Sequence, residues 1–356
     1  MKNILIVDDS ALMRRVLCDI IDADGRFKVV DKAMNGKVAL DLLMKKKYDA
    51  VVLDVNMPVM NGIELLKELQ KNKIPAKVVM ASTLTSEGAK VTMDALELGA
   101  LDFVHKPDQA IDCKGEEFSR SLLRILAAAV ESKEPAFAKT FDFNKMKEDR
   151  KLVQLVGKAK TNISGNKVVA IASSTGGPKA LQSVIPRLPK NLNAPVVLVQ
   201  HMPVGFTKSL ADRLNTLSEL TVTEAAEGDV LEKGHVYIAK GGAHMNVVSK
   251  GGRSTIHFSD EPSREGVKPC ANYMYESLMD SPYDQVVCVV MTGMGMDGTE
   301  GVENLKKKKA IHVIAQQEAS CAVYGMPRAV VNAGLADQVV DLDNIAQEII
   351  MNVGTK

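Results

Sequence analysis

Short apolar runs alternate with helical-period segments along most of the 356 residues, and this alternation restricts the fold more than any other feature. A strand that lies parallel to its predecessor needs a crossover of a dozen or more residues. A helix supplies it, so the pattern selects an α/β architecture built on parallel sheets. In residues 1–131 the runs at 3–7, 27–33, 49–55, 77–82 and 101–106 are predicted strands. Between the first two, Leu12, Val16, Leu17, Ile20 and Ile21 recur at helical spacing behind Ser10, a suitable N-cap. Five such units predict a doubly wound (βα)5 domain whose sites lie beyond the carboxyl ends of its strands.

The pattern dissolves over residues 132–165, a polar, Lys-rich stretch with Pro135 and Gly165. It reads as a linker with some helical character over 146–156. Residues 166–356 resume the alternation, with predicted strands at 167–172, 195–200, 235–239, 246–248, 254–258, 285–291 and 310–315. This second α/β domain is expected to hold a largely parallel sheet, with the short strands between 235 and 258 forming an antiparallel edge.

Composition removes several classes of function. Net charge is +1, aromatic residues make up 4% and Trp is absent. The chain therefore offers neither the basic face nor the stacking platform that nucleic acid requires. Five scattered cysteines, Cys18, Cys113, Cys270, Cys288 and Cys321, show no Cys-x-x-Cys spacing and suggest neither a disulfide framework nor a zinc site. The first apolar run is too short for a signal-peptide core, and no run approaches the roughly 18 residues of a membrane span. A cytoplasmic protein without membrane insertion is expected.

Two constellations fall at strand ends. In the first domain these are Asp8 and Asp9 after strand one, Asp54 at the end of strand three, and Lys106 with Pro107 after strand five. In a sheet ordered 2-1-3-4-5 they converge. Clustered carboxylates suit a hard divalent cation such as Mg²⁺, and the cation with Lys106 would stabilise a phosphoryl group transferred to Asp54; taken singly, Asp8 and Asp9 also read as polar ends of a strand and Asp54 as part of a turn before Pro58 and Gly62. In the second domain, Ser173-Ser174-Thr175-Gly176-Gly177, His201 and Asp297-Gly298 each follow a strand. Serine needs a neighbouring base to become a nucleophile, imidazole is a suitable base, and a carboxylate fixes its tautomer. Other readings of the same residues stand beside this one. The Ser-Thr-Gly-Gly turn also suits a phosphate-binding loop or a helix cap, His201 a structural role and Asp-Gly an ordinary turn.

The string Ile-Val-Asp-Asp-Ser, the segment DVNMPVMNG from Asp54 to Gly62, Ser82 and the Lys106-Pro107 pair resemble the receiver domain of bacterial response regulators. The resemblance implies phosphorylation at Asp54, with Mg²⁺ held by Asp9, Asp54 and the carbonyl of Asn56 and with Asp8 nearby. It also implies phosphoryl contacts from Ser82 and Lys106 and a switching role for Phe103. The strings AIASSTGGPKAL, VLVQHMPVGFTKSLADRL, HVYIAKGGAHM, VVMTGMGMDGTEG and SCAVYGMPRAVV resemble the catalytic domain of chemotaxis protein-glutamate methylesterases. That resemblance implies Ser174 as nucleophile, His201 as general base and acid, Asp297 as the orienting carboxylate and backbone amides around Met294 for the oxyanion. The reaction it implies is phosphorylation-regulated hydrolysis of glutamate methyl esters on chemoreceptors, without a cofactor for the hydrolysis, together with glutamine deamidation. A chemotaxis histidine kinase would be the phosphodonor. Ser173 stands where the family usually has alanine, so two adjacent hydroxyls compete for the nucleophile's role, and the register of the Thr-Gly-Gly turn favours Ser174. Two rivals predict other chemistry: a binding module with a nucleotide at the Ser-Thr-Gly-Gly turn, and a DNA-binding output domain, which the neutral charge disfavours.

Overall fold

A computed structural model describes residues 1–83, 86–107, 115–132 and 165–356, and the chain divides into two compact units, Met1–Phe141 and Asp142–Lys356. The predicted linker helix over 146–156 lies outside the described residues.

The first unit is a five-stranded parallel sheet of β1 (Lys2–Val7), β2 (Phe27–Ala33), β3 (Ala50–Asp54), β4 (Val78–Thr83) and β5 (Asp102–Lys106), ordered β2-β1-β3-β4-β5. Helices α1 (Ala11–Ala23), α2 (Gly36–Lys45), α3 (Gly62–Lys71), α4 (Ser86–Glu97) and α5 (Glu116–Glu131) make the crossovers. Ile4, Leu5, Ile6 and Val7 are all fully buried, as expected of a strand covered on both faces. Ser10 caps α1 by accepting the Met13 amide at 3.3 Å. The phase of α1 differs slightly from expectation. Met13, Val16, Leu17 and Ile21 form the buried stripe at i, i+3, i+4 and i+8, while Leu12 is turned to solvent.

The second unit is a seven-stranded sheet, parallel throughout, ordered β14-β13-β12-β6-β7-β9-β8. Its strands are β6 (Lys167–Ser173), β7 (Val196–Gln200), β8 (Thr221–Glu224), β9 (His235–Ile238), β12 (Gln285–Val290), β13 (Ala310–Gln316) and β14 (Gln338–Val340). The expected antiparallel edge is not there. Instead β9 joins the parallel sheet, and β10 (His244–Lys250) pairs with β11 (Arg253–Ser259) as a separate two-stranded antiparallel ribbon. The ribbon's inward residues Met245, Val247 and Ile256 pack into the core beneath the main sheet, which explains why it covers a face and does not extend an edge. Helices α6 (Gly177–Val184), α7 (Phe206–Leu217), α8 (Ala271–Ser277), α9 (Thr299–Lys306), α10 (Met326–Asn332) and α11 (Leu342–Val353) complete the unit. From β6 the chain builds outward through β7 to β8 on one side and later through β12 to β14 on the other. The order therefore reverses beside β6, and a crevice opens at such a switch point.

Candidate functional site

At the carboxyl edge of the first sheet, Lys106 Nζ donates to Asp8 Oδ2 at 2.9 Å and to Asp54 Oδ1 at 2.8 Å. All three side chains are buried, whereas Asp9 is exposed, and the ligand oxygens of Asp8, Asp9 and Asp54 lie within 4.8 Å of one another. Burial pushes the Asp54 carboxyl up to about 6, with the Lys106 charge pulling it back. For Lys106, burial opposes the charge, but Asp54 and Asp8 outweigh it and hold the ammonium's pKa above its ordinary value. Three carboxylates facing one ammonium leave a surplus of negative charge among oxygen donors alone, a donor set that fits Mg²⁺. Asn56, two residues past Asp54, has an exposed side chain. Ser82 is buried on β4, paired in register with His105, and its hydroxyl donates to the Gly88 carbonyl at 3.5 Å. Phe103 is buried on β5 in register with Met80.

The switch point of the second sheet gathers the other predicted residues. Ser173 closes β6 and Ser174 follows it, with the Ser174 amide donating to the Thr292 carbonyl beyond β12 at 3.0 Å. On the other side the His201 amide donates to the Ser173 carbonyl at 3.1 Å, so the turn after β7 lies against the turn after β6. Gly176 has φ +76°, and a Cβ there would stand 2.5 Å from Ala322 Cβ. Only glycine allows this tight left-handed step from strand to helix. Pro178 sits in the first turn of α6, where its missing N–H costs nothing.

Asp297 accepts four hydrogen bonds. Its Oδ2 accepts His201 Nε2–H at 2.7 Å and the Ala271 amide at 2.6 Å, while Oδ1 accepts the Asn272 amide at 2.9 Å and the Cys270 thiol at 3.0 Å. Burial pushes this carboxyl up, but the hydrogen bond and charge of His201, the Ala271 amide and the Cys270 thiol outweigh burial and bring it down to about 2. A carboxylate so held can only accept, so Nε2 carries a proton toward Asp297 and Nδ1 is the basic nitrogen of the neutral imidazole. Nδ1 is buried and has no hydrogen-bond partner among the described residues. Ser174 is 2% exposed, and no hydrogen bond to its Oγ is formed among the described residues. Met294, on the loop between β12 and Asp297, is half-buried, and its amide takes no hydrogen bond among the described residues.

The sequence reading did not single out Gln200, Cys270 or Asn272, which hold these groups. A signal existed for Gln200, a polar amide closing the buried apolar run VVLVQ. Cys270 and Asn272 lie some 25 residues before Asp297 in an unremarked segment, and only folding brings them to it.

Residues 169–349 match the CheB methylesterase family, and residues 4–113 match the response regulator receiver domain. A protein-glutamate methylesterase/protein-glutamine glutaminase of Pyrococcus abyssi is 41% identical over 352 residues, covering 99% of this chain and 93% of the relative. The Bacillus subtilis protein of the same description is 40% identical over 357 residues, covering 98% of each. The crystal structure of the Thermotoga maritima CheB methylesterase catalytic domain superposes with a TM-score of 0.51 at 41% identity, over 52% of this chain and 98% of that one. With its catalytic-domain match spanning half of its length and such relatives aligned nearly end to end, the chain belongs to the CheB methylesterase family, in the form that carries an N-terminal response regulator receiver domain.

Proposed function

We propose that the protein hydrolyses γ-glutamyl methyl esters of chemoreceptors through a Ser174-His201-Asp297 triad, under control of phosphorylation at Asp54. The observation that carries this reading is His201, fixed to Asp297 at 2.7 Å through Nε2 with Nδ1 bare, at the strand end next to Ser174. Ser174 Oγ attacks the ester carbonyl and its proton passes to His201 Nδ1. The oxyanion forms toward the Met294 amide. His201 returns the proton to the departing methoxide, methanol leaves, and water repeats the sequence on the acyl-enzyme to give glutamate. A glutamine side chain would follow the same path with ammonia leaving. The hydrolysis requires no cofactor, since nucleophile, base and oxyanion donor all come from the chain. The absence of a direct Ser174–His201 hydrogen bond is compatible, because such bonds often tighten only when substrate binds.

In this reading residues 1–131 are the receiver, 132–165 the linker and 166–356 the hydrolase, all cytoplasmic; no described helix is long and apolar enough to cross a membrane. Asp8, Asp9, Asp54 and the Asn56 carbonyl would hold Mg²⁺, which when bound offsets the charge of the incoming phosphoryl group. An Asp54 oxygen takes the phosphoryl group from the partner histidine kinase, with Lys106 and Ser82 on its oxygens and Phe103 responding from β5. The deciding assay is methanol release from membranes bearing methylated receptors. Ser174→Ala is expected to abolish it, and Ser173→Ala to reduce it no more than several-fold; the reverse pattern would move the nucleophile to Ser173.

A further inference from the structure

Gln200 is 1% exposed, and both polar atoms of its side-chain amide are directed at the two catalytic turns. Its Oε1 accepts the Ser173 hydroxyl at 2.7 Å, and its Nε2 donates to the Ser174 carbonyl at 2.9 Å and to the His201 carbonyl at 3.2 Å. The amide cannot be turned end for end. The two carbonyls need N–H donors on one side, and a hydroxyl with a proton to give lies on the other. The Ser174 carbonyl also accepts the Gly177 amide at 2.7 Å, so both of its lone pairs are engaged and the peptide after the nucleophile is held rigid. Space around this amide is equally constrained, since a Cβ at Gly177 would lie 2.0 Å from Gln200 Oε1 and 2.9 Å from Ser173 Cβ. The second glycine of the turn therefore makes room for Gln200.

Resting on the triad reading above, we infer that Gln200 is a positioning residue for the hydrolysis: one buried side-chain amide ties the backbone of the nucleophile to the backbone of the base and fixes their separation, while the Ser173 hydroxyl fixes the amide. Ser173 accordingly has its own function, and the second hydroxyl of the Ser-Ser pair does not compete with Ser174. Nothing in this arrangement touches substrate. Its effect falls on the rate at which the bound ester is attacked and not on how tightly it is held.

The test uses the full-length protein with a fluorophosphonate as the probe of Ser174 reactivity and receptor methyl ester as substrate. Gln200→Met keeps volume and removes every hydrogen bond. It is expected to slow labelling and kcat together by about 10- to 100-fold, the range for misplacing a reacting group by about 1 Å, with KM unchanged. Labelling and kcat at the wild-type rate in folded Gln200→Met protein would overturn the inference, as would a loss confined to KM. Gln200→Glu keeps the acceptor for Ser173 but presents a charged oxygen to two carbonyls. Its labelling rate relative to wild type is expected to rise as the pH falls and the carboxyl regains a proton to donate, over a range in which the variant stays folded; labelling far below wild type and flat with pH counts against the proposal. If neither variant folds, Ser173→Ala decides: labelling slowed several-fold supports the inference, and labelling at the wild-type rate overturns it. Ser174→Ala separates the two levels. Label still incorporated there would overturn the triad and this inference with it, whereas label lost there but unchanged in Gln200→Met would overturn the inference alone.

Discussion

Asp297 is a carboxylate 2% exposed yet brought down to about 2 by its donors. A folded-state pKa below the unfolded value means that the unfolded chain binds the proton more tightly. The contribution to stability is then complete above pH 4 or so and is lost as the pH falls toward 2. With the shift from 3.8 to about 2, that contribution is about 2 kcal/mol. Asp297→Asn is expected to lower the unfolding free energy by about this amount at pH 7, with a gap that narrows as the pH falls from about 4 toward 2 in urea titrations. A gap constant over that range would contradict the electrostatic assignment. The same substitution lets the imidazole take the wrong tautomer, so methanol release should fall by about 10⁴-fold.

At the scale of elements, the loop carrying Asp297 is pinned by Asn272. Its Oδ1 accepts the amides of Gly298 at 2.9 Å and Gly301 at 2.7 Å, stitching the first turn of α8 to the first turn of α9. Asn272→Ala leaves two buried amides without an acceptor, at about 1–3 kcal/mol for each group so stranded. The catalytic unit should melt earlier and hydrolysis should slow; an unchanged melting point would remove Asn272 from this role. None of this was legible in the sequence, because the contact joins segments 26 and 29 residues apart with no periodic signature. What was legible had a local cause. Buried parallel strands are continuous apolar runs, and chemistry placed immediately after them lands on the carboxyl edge of each sheet, which is how Asp8, Asp54 and Lys106 in the first unit and Ser174, His201 and Asp297 in the second stand out as candidates. The strands that escaped, β8 with TVTE and β14 with QVV, are short sheet edges partly open to solvent, with too few apolar residues to register as runs. The ribbon of β10 and β11 alternates inward and outward residues and so reads as β structure, but its pattern does not say whether it extends the main sheet or covers it.

The whole chain carries two cores, each closed around its own sheet, so heat is expected to unfold it in two steps. If the carboxylates around Asp54 hold Mg²⁺, binding stabilises only the unit that contains them, by RT ln(1 + [Mg²⁺]/Kd). Calorimetry should therefore show one transition rising with Mg²⁺ while the other stays fixed, and Asp54→Ala should remove most of that rise. If phosphorylation of this unit governs the hydrolase, the two units must communicate in function while melting separately. A small phosphodonor with Mg²⁺ is then expected to raise methanol release by the wild-type chain. Asp54→Ala should release methanol at the unstimulated rate whether or not the donor is present, because Ser174, His201 and Asp297 all lie in the other unit with their hydrogen bonds untouched. Radiolabelled phosphodonor gives the companion measurement, with incorporation requiring both Mg²⁺ and Asp54. Stimulation that persists in Asp54→Ala protein would locate the control elsewhere than in the carboxylate cluster. A loss of unstimulated activity in that variant would mean that the receiver supports the catalytic unit directly and does more than gate it.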